Sequence, residues 1–146
     1  MNYKLIKDYQ ETWYYEFCPG KYDSKEPKYD SVYISTDAAY FIDDCVHKAN
    51  NSYDSFSITK FTKEKGQIQL LAEELKMRFT EIIEDKYVPE LSKESGDEAA
   101  HALNKYKAEI VTMIEDLIEW LENLEENELT IIGPFDKFCN MVLRPE

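Results

Sequence analysis

The sequence predicts an α+β domain in which a mixed or antiparallel sheet is covered on one face by helices. Short aromatic and apolar stretches dominate the first 35 residues. Two stretches in the C-terminal half repeat their apolar residues every three or four positions, as long amphipathic helices do. The order of these stretches favours this arrangement, and a length of 146 residues is that of a single domain with its own core.

Three strands are predicted near the N-terminus. Residues 3–7 and 12–17 are short strands, and the polar residues between them predict a β-hairpin. Pro19 and Gly20 end the second strand, and a third strand is predicted at 29–35 after a polar loop. The second strand is expected to place three aromatic side chains on one face: Trp13, Tyr15 and Phe17.

A first helix is predicted over 37–49, with Ser35 or Thr36 as its N-cap and Asn50 at its end. Its spacing predicts a stripe of buried residues: Ala38, Phe41, Ile42, Cys45, Val46 and Ala49. A strand over 55–61 is expected to follow it.

A second helix is predicted over 67–87, ended by Val88 and Pro89. Leu70 and Met77 project away from its apolar face. That face is expected to contain Ile68, Leu71, Leu75, Phe79 and Ile82, with Ala72 and Ile83 beside it.

The longest predicted helix runs over 97–128, and Ser95 and Glu98 form a capping box at its start. Asn127 is expected at its C-terminal end. Strands at 129–132 and 138–143 are predicted to follow, although the second could also be a short helix. The apolar face covers about half of the helix circumference and comprises Leu103, Tyr106, Ile110, Met113, Ile114, Leu117, Ile118, Trp120, Leu121 and Leu124.

The other half of this helix is acidic. Residues 108–136 contain nine acidic residues and no Lys or Arg. Acidic residues near a helix C-terminus oppose the helix dipole, and a single sign of charge forgoes i,i+4 ion pairs. Two interpretations stay open, a solvated face or a surface that binds a cationic partner. The carboxylates on this side are those of Glu109, Glu115, Asp116, Glu119, Glu122 and Glu126.

A net charge of −13 narrows the classes of partner. Nucleic acids and anionic membranes are disfavoured because they require clustered cations, whereas a basic protein is the natural complement. No run of eighteen apolar residues predicts a membrane span, and the N-terminus lacks the apolar region of a signal peptide. Cys18, Cys45 and Cys139 are odd in number and far apart, so we expect reduced thiols in a cytoplasmic protein.

Catalytic signatures are absent from the sequence. Four scattered glycines cannot form a nucleotide-binding loop, and no metal-binding or nucleophile motif is present. His47 follows Asp43 by four positions and His101 follows Glu98 by three, and each is expected to be a surface histidine with a carboxylate neighbour. We therefore expect no enzyme, no cofactor and no metal site, with a small enzyme built on either histidine as the alternative.

Nine of the eleven tyrosines lie in the first 53 residues. Tyr22 and Tyr29 fall in the predicted loop, where exposed tyrosine supplies contact area at low entropic cost, as in protein interfaces. Ordinary packing in an aromatic β-rich domain is the equal alternative.

In size, acidity and lack of catalytic motifs, the chain resembles the immunity proteins of bacterial polymorphic-toxin and contact-dependent inhibition systems. That resemblance implies a small inhibitor that blocks a cognate, basic, nuclease-type toxin, and no residue motif accompanies it. An alternative is a structural or adaptor subunit that self-associates through Leu70 and Met77. The expected contact set is Glu115, Glu119, Glu122, Glu126, Tyr22 and Tyr29.

Overall fold

A computed structural model of the chain describes residues 2–8, 14–22, 30–54, 57–89 and 94–134, the last range without the side chains of 94–97. Tyr29, Cys139 and the strand predicted at 138–143 lie outside these residues. No helix within the described part of the chain is long and apolar enough to cross a membrane.

Four strands form one antiparallel sheet in the order β2-β1-β4-β3. They are β1 (Tyr14–Pro19), β2 (Val32–Ser35), β3 (Ile58–Thr62) and β4 (Glu128–Ile132). With two long helices in the C-terminal half, the fold is α+β and the predicted class is confirmed. The strands predicted at 29–35 and 55–61 are present with shifted bounds.

The predicted N-terminal hairpin is wrong. Ile6 pairs with Tyr33 of β2 through two backbone hydrogen bonds of 2.8 Å, so the segment 2–8 lies along β2 and not beside β1. Both edges of β1 are already occupied, by β2 and by β4. The first residues therefore lie at the outer edge of β2.

The helix predicted over 37–49 is two short helices, α1 (Thr36–Ala39) and α2 (Asp43–Ala49). Ser35 caps α1 by accepting a hydrogen bond from the N–H of Ala38 at 3.1 Å, as predicted. The break follows from Arg78, whose guanidinium donates to the carbonyl of Phe41 and so competes with a continuous helix. Every residue of the predicted stripe is nevertheless buried.

Helix α3 (Gln67–Ile83) ends before the predicted limit at Tyr87. Asp85 has a φ of 57°, and the carbonyl of Glu81 accepts from the N–H of Lys86 at 2.7 Å, so the chain turns here. The predicted core face is buried apart from the half-buried Phe79, but Ile83 is exposed, contrary to prediction.

Helix α4 (Glu94–Glu122) packs against α3. It begins before Ser95, so the prediction that Ser95 and Glu98 form a capping box is wrong. It ends six residues before the predicted limit. Lys63 explains the early end, because its Nζ donates to the carbonyl of Leu124 at 2.6 Å and its N–H to the carbonyl of Asn127 at 2.9 Å. These bonds hold the chain that leads from α4 into β4.

One hydrophobic core joins the helices to the sheet. From α4 it takes the residues at the predicted apolar positions, of which Leu103, Tyr106 and Trp120 are half-buried. Tyr106 has non-helical backbone angles (φ −119°, ψ 25°) and divides α4 into two halves. The first half borders α1, and the second half has the acidic outer face.

Candidate functional site

The second half of α4 has an exposed row of carboxylates that continues into the following loop. We call it the acidic surface and define it by Glu115, Asp116, Glu119, Glu122, Glu125 and Glu126, all of them exposed. Glu115, Glu119 and Glu122 follow each other by four and three positions, so they share one helix face over about 10 Å. The structure thus places three of the four predicted glutamates together on α4.

One carboxylate of the acidic surface, that of Glu122, forms an ion pair with α3, and the nearby Glu128 forms one with β3. Glu122 accepts from Lys76 of α3 at 2.8 Å, and Glu128 lies 3.6 Å from Lys60 of β3. Within the described part of the chain, no ion pair involves Glu115, Glu119 or Glu126. Within the acidic surface, the charge of Glu122 is therefore partly compensated by α3.

Glu126 lies beyond the end of α4, beside the turn that ends β1. A Cβ atom at Gly20 would lie 3.4 Å from its Oε2 atom. The carbonyl of Gly20 accepts from the Thr130 hydroxyl at 2.7 Å, which holds this turn against β4. The half-buried Tyr22 follows two residues later, within about 7 Å of Gly20 along the chain. The predicted tyrosine and the last predicted glutamate thus lie at the same end of the sheet.

A cavity of about 460 Å³ lies between α1 and the first half of α4. His101 lines it, together with Asp37, Glu98 and Lys105. Its aromatic lining residues are Tyr3, Tyr40, Phe41 and Tyr106. Sequence reasoning missed this cavity, because its lining comes from three separate segments of the chain.

The aromatic rings of the cavity contact one another. The Tyr3 ring centroid is 5.1 Å from that of Tyr106 and 6.2 Å from that of Phe41. The Nζ atom of Lys105 lies 5.4 Å from the centroid of the Tyr106 ring. Burial raises the pKa of the Tyr3 hydroxyl, and the carboxylate of Asp37 raises it further.

The two histidines occupy different environments. His47 is exposed on α2, with its Nε2 atom 3.7 Å from Oδ2 of Asp43 and its ring 5.1 Å from that of Tyr53. Burial raises the pKa of Asp43, although the neighbouring His47 acts to lower it. The exposed His101, in contrast, borders the cavity. Among the described residues, no group of three or more possible ligands could hold a metal ion.

Cys18 and Cys45 are buried. Burial raises the pKa of Cys45 to about 12, so its thiol stays protonated at neutral pH. The Sγ atom of Cys45 donates to the carbonyl of Glu74 at 3.6 Å, and that of Cys18 to the carbonyl of Pro19 at 3.6 Å. Both thiols are core side chains.

Arg78 is a buried charged residue that sequence reasoning missed. Its side chain is 7% exposed, and its guanidinium donates to both carboxylate oxygens of Asp44, at 2.5 and 2.9 Å. The guanidinium carbon lies 4.2 Å from the centroid of the Tyr87 ring. Position 78 is three residues after Leu75 and four before Ile82, so the helical period itself indicates a buried arginine. The ion pair between Arg78 and Asp44 thus joins α3 to α2.

Comparison of the chain with protein-family models, with curated proteins and with solved structures finds no match. A functional assignment must therefore rest on the surface and the cavity described above.

Proposed function

We propose that this chain is an acidic binding protein that neutralises a basic protein partner. The observation that carries the proposal is the acidic surface, where Glu115, Glu119 and Glu126 are exposed and form no ion pair with any described residue. The net charge of −13 supports it, because a field of one sign accelerates the capture of an oppositely charged protein.

The most specific form of the proposal is an immunity protein that blocks a nuclease-type toxin. A cleft that binds nucleic acid holds cations positioned for phosphates, and carboxylates along a helix can take the place of phosphates there. Glu115 and Glu119 lie one helical turn apart, so they would meet two neighbouring cations of such a cleft. The exposed α4 face would then cover the nucleic-acid site of the toxin.

The contacts within the chain rank the expected contact residues. Lys76 partly compensates the charge of Glu122, so an ion pair with Glu122 would add less binding free energy than one with Glu115 or Glu119. Tyr22 is half-buried and comes two residues after Gly20, which Glu126 approaches, so its ring would add contact area near this end of the acidic surface and slow release of the partner.

A capture experiment with two charge-matched variants tests the proposal. One variant replaces Glu115, Glu119 and Glu126 with lysine on the acidic surface. Each replacement raises the net charge by two, so three replacements change it from −13 to −7. The control has the same change in charge at or beside α3, at three other exposed glutamates: Glu64, Glu73 and Glu84.

The wild-type chain and the α3 control should both capture the same basic protein from a lysate of the source organism, and the surface variant should not. The purified partner should possess an activity that the wild-type chain abolishes at a one-to-one ratio. An acidic or neutral partner, or equal capture by both variants, would overturn the proposal.

The exposed apolar side chains of α3 support a second candidate, a subunit that self-associates. Leu70 is 37% and Met77 is 59% exposed, and their spacing of seven places them on one face. Glu73 lies exposed between them, so this face mixes apolar groups with charge. Repulsion between chains of the same sign opposes this candidate, and we place it second.

A further inference from the structure

We propose that the cavity between α1 and the first half of α4 binds a small organic ammonium ion. The proposal is independent of the acidic surface, which lies on the other side of the break at Tyr106. A volume of about 460 Å³ is within the range of cavities that hold small molecules. It is far larger than a bare metal ion needs.

The aromatic lining suits a cation. Rings attract cations to their faces, and Tyr106 already has the ammonium group of Lys105 at 5.4 Å from its centroid. Tyr40 and Tyr106 are half-buried and line the cavity. Lys105 is exposed and can move away when a ligand arrives.

Two carboxylates give the cavity its charge preference. Asp37 on the first turn of α1 and Glu98 on α4 both line it. Among the described residues, neither carboxylate takes part in an ion pair. An ammonium group placed between them would satisfy both charges, and the remaining carbon atoms of the ligand would contact the rings.

A preference for anions would require His101 and Lys105 to outweigh the carboxylates of Asp37 and Glu98. Lys105 is directed over the Tyr106 ring, and the rise in the pKa of Tyr3 reflects burial together with the surrounding carboxylates, Asp37 among them. The carboxylates of Asp37 and Glu98 therefore act on the part of the cavity that Tyr3 lines.

Three aromatic probes of similar size but different charge test this preference: benzylammonium, benzyl alcohol and benzoate. Ligand-observed NMR with the full chain at pH 7 should show saturable binding of benzylammonium, with a dissociation constant on the order of 1 mM, as is usual for so small a ligand. Benzyl alcohol should bind more weakly and benzoate not at all. Equal binding of all three probes, or no saturable binding of benzylammonium at about 10 mM, would overturn the proposal.

Variants identify the site. Asp37→Asn and Glu98→Gln should each weaken benzylammonium binding about threefold to fivefold, the change expected for an exposed ion pair. Tyr106→Leu should weaken it by a similar factor through loss of the ring face. Glu115→Gln, which removes an equal charge from the acidic surface, should leave the affinity unchanged. If Glu115→Gln weakened binding as much as Glu98→Gln, benzylammonium would be responding to net charge and the proposed site would be wrong.

Discussion

Replacing Asp44 with asparagine tests the contact that joins α2 to α3. Arg78 is buried and donates two hydrogen bonds to Asp44, whereas the Asp44 side chain is 53% exposed. Breaking a fully buried ion pair costs about 3 to 5 kcal/mol, and solvent screening at Asp44 reduces this substantially. We expect Asp44→Asn to lower the free energy of unfolding by about 1 to 2 kcal/mol at pH 7, measured by urea denaturation.

The pH dependence of this loss has a defined sign. Burial acts to raise the pKa of Asp44, but the hydrogen bond and charge of Arg78 outweigh it, so the pKa lies below its usual value. The ion pair therefore stabilises the fold above the unfolded pKa of about 4 and is lost as the pH falls through the folded pKa. The difference between variant and wild type should shrink as the pH falls below about 4.

Asp43, the preceding residue, is the matched control. Burial raises its pKa, so its favourable contribution exists at low pH and is lost as the pH rises through the folded pKa. The free energy of unfolding of Asp43→Asn, relative to that of wild type, should therefore rise as the pH increases from about 4 to about 7. This trend is opposite to that of Asp44→Asn. The reasoning is refuted if Asp44→Asn is as stable as wild type at pH 7, or if its deficit is unchanged at pH 3.

Three further predictions concern the turn after β1, the buried thiol and the α3 surface. Gly20→Ala should lower the free energy of unfolding by about 1 to 2 kcal/mol in urea denaturation, because Gly20 has a φ of 69°, which disfavours any residue with a Cβ atom. An unchanged stability would show that the turn relaxes. Iodoacetamide at pH 8 should leave Cys45 unmodified in the native chain and alkylate it in urea, as mass spectrometry of digests would show; rapid native labelling would contradict the raised pKa. Light scattering should give the mass of a monomer at all concentrations. An oligomer that dissociates on dilution, and that does not form when Leu70 and Met77 are both replaced by serine, would instead favour the self-associating subunit.

The buried faces of the helices could be predicted from the sequence because they depend on local geometry. Residues three and four apart share a helix face whatever lies opposite. Ile110, Met113 and Leu117 are accordingly buried, and so is the stripe of α1 and α2 despite the break between them. The exposure of Glu115 and Glu119 follows from the same rule.

The ends of the helices could not be predicted, because distant groups determine them. Lys63 ends α4 by binding the carbonyl of Leu124, which lies 61 positions away in sequence. Arg78 interrupts the first predicted helix from 37 positions away, at the carbonyl of Phe41. A single-sequence pattern contains no information about such pairs.

The same limit applies to the candidate sites. Glu122 is one of the expected contact residues, yet Lys76 binds it from a neighbouring helix, 46 positions away. The cavity joins Tyr3, Tyr40 and Tyr106, which come together only when the first residues reach α1 and α4. Aromatic richness near the N-terminus was visible in the sequence, but its convergence on one cavity was not.

The association rate between this chain and its captured partner tests the central claim most directly. At about 50 mM salt, the lysine variant of Glu115, Glu119 and Glu126 should associate at least about tenfold more slowly than wild type, whereas the control at Glu64, Glu73 and Glu84 should lose less. At about 500 mM salt the difference should nearly vanish, because screening removes the long-range field. If both variants associate as fast as wild type at low salt, the acidic surface does not capture the partner.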